Sequence, residues 1–190
     1  MVYKEKINKV LIFLLLTSCG YYSLKGSLPA GVHSIYIANV VNDTSEFIAA
    51  EKLSQIFIED LLSENILKIT SSDLADSQID IIISKIDDKP FSISSNNSQS
   101  ELVEEWKLTM YINIVWFNMN TGDEIINKSL SSWAAYGTGQ DIGSDGIDND
   151  GDNLIDSDDS DEFGSPRESA LRIAASKLSE KIINELTSTW

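Results

Sequence analysis

The chain has 190 residues, of which 30 are acidic and 14 basic, and its formal net charge is −16. This balance argues against nucleic acid as a partner, because nucleic-acid binding relies on clustered lysine and arginine side chains. With His33 as the single histidine and Cys19 as the single cysteine, Ser-His-Asp, Cys-His and histidine-based zinc chemistry are excluded. We therefore expect no enzyme and no catalytic residue.

The first residues have the layout of a bacterial secretory signal. Three lysines precede a seven-residue apolar run, Val10 to Leu16. The run ends in Leu16-Thr17-Ser18-Cys19, which resembles a lipobox, the site where a lipoprotein is acylated on cysteine and cleaved just before it. Leu16 suits an apolar peptidase pocket, Thr17 and Ser18 are small, and the Cys19 thiol is the nucleophile that takes the lipid.

We therefore predict a signal peptide over residues 1–18 and a single domain over residues 19–190, anchored by acyl chains on Cys19. An uncleaved membrane helix needs about 20 apolar residues, and a buried core cysteine would leave the export signal unused. Gly20, rather than an aspartate, follows the cysteine, which favours the outer membrane by analogy with proteobacterial sorting. The domain would face the periplasm.

Two amphipathic helices and several strands follow in chain order. Ser34 to Val41 reads as a strand, and Ser45 to about Asn65 as a helix with an apolar stripe. A short strand over Ile66 to Thr70 and an alternating strand over Gln78 to Ser84 come next. The sequence then predicts a turn at Asp87-Asp88-Lys89-Pro90 and a polar loop over Ser92 to Ser100.

Leu102 to Met119 gives the longest strand signal and is apolar on both faces, with Tyr111, Val115 and Phe117 sharing the second face. This pattern indicates a central strand, covered by helix on one face and by a ligand or partner on the other. The alternative is that these three side chains pack under the Ser92 to Ser100 loop.

A return strand over Glu124 to Tyr136 would have Ile126, Leu130 and Trp133 facing inward. After an acidic segment, Ser165 and Pro166 give start signals for a closing helix. The order predicts an α+β two-layer sandwich: two helices on one face of a mostly antiparallel sheet of about four strands, in β-α-β-β-β-α order.

In its motifs the chain resembles the LptE family, the lipoproteins of lipopolysaccharide assembly, in a divergent branch. The resembling stretches are Cys19-Gly20-Tyr21-Tyr22-Ser23-Leu24-Lys25-Gly26, then Leu28-Pro29-Ala30-Gly31-Val32 running into Ser34-Ile35-Tyr36-Ile37. Asn42 and Thr44 match an Asn-x-Thr step before the first helix. Ala170 to Trp190 resembles the closing helix, with Leu178, Glu180 and Ile182 at its core.

This resemblance implies a non-catalytic plug inside the outer-membrane β-barrel LptD, assisting delivery of lipopolysaccharide to the outer leaflet. The implied partners are an LptD-like barrel, lipopolysaccharide and the membrane through the lipid anchor. Lys85, Lys89, Lys107 and Lys128 lie on or beside the strands, but none matches a family motif, so the lipopolysaccharide-contacting residues are unassigned.

An acidic insert over residues 141–162 departs from the family and holds ten acidic residues and no basic one. Within it, residues 145–156 resemble the aspartate-rich calcium loops of thrombospondin type 3 repeats. Alternating aspartates converge hard oxygens on one cation, and Ca²⁺ accepts 6–8 of them. The candidate ligands are Asp145, Asp148, Asp150, Asp152, Asp156 and Asp159.

The insert equally suits a solvated acidic loop held open by self-repulsion. No cofactor is expected other than Ca²⁺ on the first of these interpretations. The alternative function is accordingly a calcium-binding periplasmic or surface lipoprotein that shares only the α+β layout.

Overall fold

The computed structural model describes residues 28–96, 100–137 and 166–188, which form two helices packed on one face of a mixed six-stranded sheet. The predicted two-layer α+β sandwich with two helices is confirmed. The helices are α1, Ala49–Glu64, and α2, Pro166–Thr187. The strands are β1, Ser34–Ile37; β2, Val41–Asn42; β3, Lys68–Ile69; β4, Ser77–Asn96; β5, Ser100–Asn118; and β6, Glu124–Gly137.

The strand count of about four is wrong, because the sheet has six strands. The predicted first strand divides into β1 and β2, and β2 and β3 have only two residues each. The sheet order is β3-β1-β4-β5-β6, with β2 pairing separately with β4. β1 pairs parallel with β3 and β4, whereas β4, β5 and β6 form a long antiparallel meander. The sheet is therefore mixed, and its antiparallel part carries most of the pairing.

The core lies between the helices and one face of the meander. Alternate residues of β5 are fully buried there, from Leu108 through Met110 to Trp116. The predicted helix stripes supply the other half, and their buried members are Ala49, Leu53, Phe57 and Leu61 of α1 and Leu171, Ala175, Leu178, Ile182 and Leu186 of α2. Burying a large apolar side chain contributes about 1.5–3 kcal/mol, so this layer is the main source of stability.

Helix α1 begins at Ala49 rather than at the predicted Ser45, because the Asn-x-Thr step forms its own turn first. The Asn42 Oδ1 atom accepts hydrogen bonds from the backbone N–H and the hydroxyl of Thr44, at 3.0 and 2.8 Å. The Thr44 hydroxyl in turn accepts the N–H of Glu46 at 3.2 Å. The helix ends at Glu64, and the cap residue Asn65 adopts the left-handed conformation with φ of 49°. Helix α2 begins at Pro166 as predicted, and Ser165 lies outside the described residues.

The predicted turn at residues 87–90 is wrong, because β4 continues through Asn96. The predicted loop over residues 92–100 is wrong for residues 92–96 and for Ser100, which begins β5, while residues 97–99 lie outside the described residues. Its partners β1 and β2 end opposite Ile83, so beyond that point β4 is an edge strand. Edge strands tolerate proline, whose missing N–H costs no ladder bond on the open side. The pairing with β5 also shifts register just after Pro90, as at a bulge.

Neither described helix is long and apolar enough to cross a membrane.

Candidate interaction surface

The predicted lipidation and metal residues lie outside the part of the chain that the structure describes. They are Leu16, Thr17, Ser18 and Cys19 in the lipobox, and Asp145, Asp148, Asp150, Asp152, Asp156 and Asp159 in the insert. Their roles, and the domain boundaries built on them, stay predictions. Within residues 28–96, 100–137 and 166–188, no group of three or more His, Cys, Asp or Glu side chains could hold a metal ion.

The face of the meander opposite the helices, here called the outer face, is the candidate site. Side chains alternate between the two faces of a strand, so β5 directs Leu108, Met110 and Ile112 into the core and Thr109, Tyr111 and Asn113 outward. Tyr111 is 36% exposed, whereas Val115 and Phe117 are half-buried on the same face.

The alternative that Tyr111, Val115 and Phe117 pack under a loop is wrong in its premise, because Ser92 to Asn96 belong to β4. Both helices lie on the other side of the sheet. Within the described residues, no element covers the outer face.

Four consecutive rows across β4, β5 and β6 form the middle of the outer face, here called the outer strip. The rows follow from the strand register and place hydroxyl, amide, lysine and aromatic side chains side by side. They are Ile82, Asn113 and Ser129; Lys85, Tyr111 and Ser131; Asp87, Thr109 and Trp133; and Lys89, Lys107 and Ala135. Alternate residues are about 6.7 Å apart along a strand, so the four rows extend over about 20 Å.

Trp133 faces the outer strip, not the core, and the expectation that it points inward is wrong. Period-two alternation from Ile126 buries Ser132 and Ala134 and leaves Trp133 42% exposed. The Phe91 ring lies 5.6 Å from the Trp133 ring, centroid to centroid. The Lys107 ammonium lies 4.4 Å from the Trp133 centroid, a distance at which a cation is attracted to the ring face.

A shallow cavity of about 330 Å³ lies beside Tyr111, on the same strip. Its polar lining comes from all three strands: Ser84 and Lys85, Tyr111 and Asn113, Ser129 and Ser131. The Ser129 hydroxyl donates to the Asn113 side-chain oxygen at 2.7 Å, and the Ser84 hydroxyl donates to the Tyr111 carbonyl at 3.2 Å. These bonds hold polar groups in place at the cavity floor.

The outer strip carries more lysines than carboxylates within its four rows. It holds Lys85, Lys89 and Lys107 against one carboxylate, Asp87. The Asp87 carboxylate lies 3.0 Å from the Lys85 ammonium and 3.2 Å from that of Lys89. Hydrogen bonds from Lys85 and then Lys89 lower the Asp87 pKa, so this carboxylate stays ionised and is compensated. The rows that flank the strip add Asp80 and Glu105 to the outer face, so over these six rows three lysines face three carboxylates.

Both long edges of the meander are protected against pairing with another strand. On β6, the Lys181 ammonium donates to the Ser131 carbonyl at 2.6 Å, and Lys177 donates to the Trp133 carbonyl at 3.3 Å. On β4, Pro90 and two register shifts interrupt the open edge. Lysine, proline and bulges are the devices that natural sheets use to prevent edge pairing. The edges are therefore unsuited to the addition of another strand, whereas the outer face stays open.

A polar cluster fixes one end of the meander, where Asp88 of β4 and Tyr136 of β6 lie, to the helix layer. This end is here called the lower end. The Tyr136 hydroxyl donates to Asp88 at 2.9 Å, and the Arg167 guanidinium reaches Asp88 at 3.0 Å and Glu46 at 2.6 Å. Burial, followed by the bond to Asp88, raises the pKa of Tyr136 to about 12. Partial burial opposes the charge of Arg167, but hydrogen bonds to Glu46 and Asp88 outweigh it and raise the Arg167 pKa. The cluster joins β4, β6 and α2.

Sequence reasoning identified some of these residues without placing them. Lys85, Lys89 and Lys107 lie on the outer strip, but Lys128 turns to the helix side and bonds Glu185 of α2. No sequence signal could align three strands into rows, because the register depends on bulges such as the one between Ile83 and Lys85.

No family model matches the sequence, and no curated protein sequence matches it. The fold does match solved structures. A Xanthomonas campestris protein of the DUF330 family has a TM-score of 0.50 at 6% identity, over 87% of this chain and 91% of that one. This likeness shows the fold and no more.

Bacterial lipoproteins are also among the structures that this chain resembles. Rare lipoprotein B from Shewanella oneidensis has a TM-score of 0.46 at 11% identity, over 80% of this chain and 92% of that one. A minor lipoprotein from Acinetobacter baumannii has a TM-score of 0.44 at 9% identity, over 82% and 93%. Membership of the LptE family stays a prediction.

Proposed function

We propose that this chain is a non-catalytic lipoprotein of the outer membrane that assists lipopolysaccharide transport to the outer leaflet as the plug partner of an LptD-type β-barrel. The observation that carries the proposal is the outer face. A long antiparallel ladder has one face sealed by helices and the other open, with Tyr111 and Trp133 exposed on it. Exposed aromatic side chains are typical of binding surfaces.

The meander is long enough to extend through an outer-membrane barrel. The 19 residues of β5 extend over about 65 Å at about 3.4 Å per residue, longer than the apolar band of an outer-membrane barrel, about 25 Å. The lumen wall of such a barrel is polar, and the outer strip is polar with aromatic side chains. Protected edges favour docking of the sheet as a rigid body, with the strand order unchanged.

Lysine side chains on the outer strip could contact the cargo. Lipopolysaccharide carries phosphate groups, and lysine ammonium groups bind phosphate as point charges. Lys85, Lys89 and Lys107 outnumber the one carboxylate of the strip, although the whole chain has more than twice as many acidic as basic residues.

The lipid anchor would hold the domain at the membrane through the segment of chain that precedes β1. The described chain begins at Leu28, six residues before the start of β1. Nine steps of chain separate Cys19 from Leu28 and span at most about 30 Å. Acyl chains on Cys19 would contribute about 0.8 kcal/mol per buried CH₂ group.

Purification of the tagged protein from detergent-solubilised outer membranes tests the proposal. We expect a large β-barrel protein to co-purify with the wild-type chain, and radioactive palmitate to label it. The Cys19→Ala variant should lose the label and the membrane fraction. Recovery of the wild-type protein only as a free monomer would contradict the proposal.

A deletion of residues 141–162 separates this function from the calcium-binding alternative. For a barrel partner, co-purification of the barrel should survive the deletion, since the insert is absent from the resembled family pattern. For a calcium-binding lipoprotein, the deletion should abolish function and calcium uptake together.

A further inference from the structure

We propose that one end of the domain rests on the phospholipid leaflet that holds the lipid anchor, and that the exposed side chains of Leu74 and Met119 insert into this leaflet. This end, here called the upper end, is where β1 and β4 begin and β5 ends. The inference rests on the lipid anchor of the proposed function and adds a second, non-covalent contact with the membrane.

The first step is the place where the anchored segment enters the fold. The Asp76 carboxylate accepts hydrogen bonds from the backbone N–H groups of His33 and Ser34, at 3.1 and 3.0 Å, and from the Ser34 hydroxyl at 2.8 Å. These bonds fix the start of β1 at the upper end. Because the chain from Cys19 to Leu28 spans at most about 30 Å, an anchor on Cys19 would keep the upper end close to the leaflet.

The second step is the pair of apolar side chains exposed at the upper end. Leu74 is 72% exposed and Met119 is 36% exposed. Their two loops are joined, because the Met119 N–H donates to the carbonyl of Asp76, which follows Leu74 by two residues, at 2.8 Å. Single exposed apolar side chains are common on protein surfaces. These two are distinguished by their position at the end where the anchored segment enters.

The third step is the backbone of the two loops. The Leu74 N–H donates to the Ser71 carbonyl at 3.1 Å, and the Gly122 N–H donates to the Asn118 carbonyl at 2.8 Å. The Asn118 side-chain oxygen also accepts the Asn120 N–H at 2.8 Å. An amide that leaves water without a hydrogen-bond partner is costly. Since these amides are paired within their own turns, the loops can approach the lipid without that cost.

The fourth step is charge, which selects the kind of lipid. Residues 28–33, 70–76 and 118–123 form the loops of the upper end and contain no lysine or arginine. Asp73 and Asp123 are exposed on these loops. A hydrogen bond from Ser71 lowers the Asp73 pKa, so this carboxylate stays ionised. Like charges repel, so the upper end suits headgroups without net charge, such as phosphatidylethanolamine, better than anionic phosphatidylglycerol.

The anchor allows so small a contact to form. Two apolar side chains alone bind a membrane weakly, because the strength of binding follows the apolar area that they bury. An acylated chain would hold them beside the leaflet at a high effective concentration, so the contact becomes intramolecular. The domain would then stand on its upper end.

Phe91 supplies a matched control at a distance from that end. Its side chain is apolar and 52% exposed, as the inserted side chains are apolar and exposed. It lies on β4 about 45 Å from Ser77, at about 3.3 Å per residue. A domain that stands on its upper end therefore keeps Phe91 in water, whereas a domain that lies along the membrane would bring it to the lipid.

Fluorescence quenching by lipid tests the inference on the acylated lipoprotein, reconstituted alone into liposomes of phosphatidylethanolamine and phosphatidylcholine. Acylation of Cys19, the single cysteine, leaves no free thiol. The variants Leu74→Cys, Met119→Cys and Phe91→Cys each therefore take one environment-sensitive NBD label. With doxyl-labelled phosphatidylcholine in the liposomes, the labels at positions 74 and 119 should lose about half of their emission, because interfacial side chains lie about 5–10 Å deep. The label at position 91 should lose almost none.

Two further measurements test the side chain and the headgroup. Leu74→Asn, added to the Met119→Cys variant, should reduce the quenching at position 119, because a polar side chain no longer favours the lipid. Its melting temperature should match that of Met119→Cys alone, since Leu74 lies outside the core. Replacement of phosphatidylethanolamine by phosphatidylglycerol should also reduce the quenching at positions 74 and 119.

Three results would overturn the inference. Labels at positions 74 and 119 that stay in water, on a protein that remains on the liposomes, would show that the domain hangs free of the leaflet. Equal quenching at position 91 would show that it lies along the membrane. Unchanged quenching after Leu74→Asn would show that the label, and not the native side chain, meets the lipid.

These results are distinguishable from failure of the proposed function. Any of the three, obtained with a barrel that still co-purifies, overturns only the membrane contact. Quenching at positions 74 and 119 without a co-purifying barrel would support the membrane contact and overturn the role as a plug.

Discussion

The two faces of the β4-β5-β6 meander are built from alternate residues of the same strands, yet they have opposite character. On the helix side, β5 presents five side chains with no exposed area, from Leu108 to Trp116. On the outer side, the same strand presents Thr109, Tyr111 and Asn113 among lysines and serines. The difference teaches that one face determines whether the chain folds, whereas the other is available for a ligand or partner.

A matched pair of tryptophans gives the largest expected contrast. Trp116 is fully buried on the helix side, and Trp133 is 42% exposed on the outer side. Trp116→Ala should lower the free energy of unfolding by about 3–5 kcal/mol, because it leaves a cavity in the core. Trp133→Ala should cost about 1 kcal/mol or less. Urea unfolding measures both, and equal losses would contradict the assignment of the two faces.

The polar cluster at the lower end should give the next largest effect. Asp88→Ala removes the acceptor for the Tyr136 hydroxyl and for the Arg167 guanidinium. We expect a loss of about 1–2 kcal/mol, since Arg167 is partly solvated and the ion pairs are screened. Asp88→Asn should recover part of this loss. A thermal unfolding curve of Asp88→Ala that matches the wild type would show that the cluster does not stabilise the fold.

The dependence of stability on pH tests a second polar contact, at the opposite end of the sheet. There the Asp76 side chain, just before β4, bonds to residues at the start of β1. The Asp76 carboxylate accepts hydrogen bonds from the Ser34 hydroxyl at 2.8 Å and from the His33 N–H at 3.1 Å. These bonds lower the Asp76 pKa below its ordinary 3.8. The stabilisation is therefore present above about pH 4 and is lost as pH falls through the lowered pKa.

Melting temperatures of wild type and Asp76→Asn should accordingly differ at pH 7 and converge near pH 2. The exposed Asp43→Asn substitution is the control, and its melting temperature should differ little from that of the wild type at pH 7. A difference between wild type and Asp76→Asn that grows as the pH falls would contradict the sign of this linkage.

The smallest expected effect concerns the β6 edge. Lys177→Ala with Lys181→Ala removes both donors to the outward carbonyls of Trp133 and Ser131. Each exposed contact is worth about 0.5 kcal/mol, so stability should change little. Self-association should rise, because an unprotected edge pairs with other strands. Sedimentation of the double variant measures this, and a strictly monomeric variant would show that the edge needs no protection.

The helices were predictable from the sequence because their apolar stripes depend on local spacing. The course of β4 was not. Asp87-Asp88-Lys89-Pro90 reads as a turn, but Asp88 pairs with Arg167 and Tyr136, which lie far away in the chain. Contacts with residues far away in the sequence therefore favour a strand where the local sequence predicts a turn. The outer strip was missed for a related reason: its lysines were visible, but their alignment with Trp133 depends on register across three strands.

Site-specific photo-crosslinking in cells tests the central claim most directly. A benzoylphenylalanine at Ser131, exposed on the outer strip, should crosslink to an outer-membrane β-barrel protein. The same group at Glu59, exposed on α1, should not. Crosslinking to a barrel from Glu59 and not from Ser131, or from neither position, would contradict the account that the open face of the sheet meets the barrel.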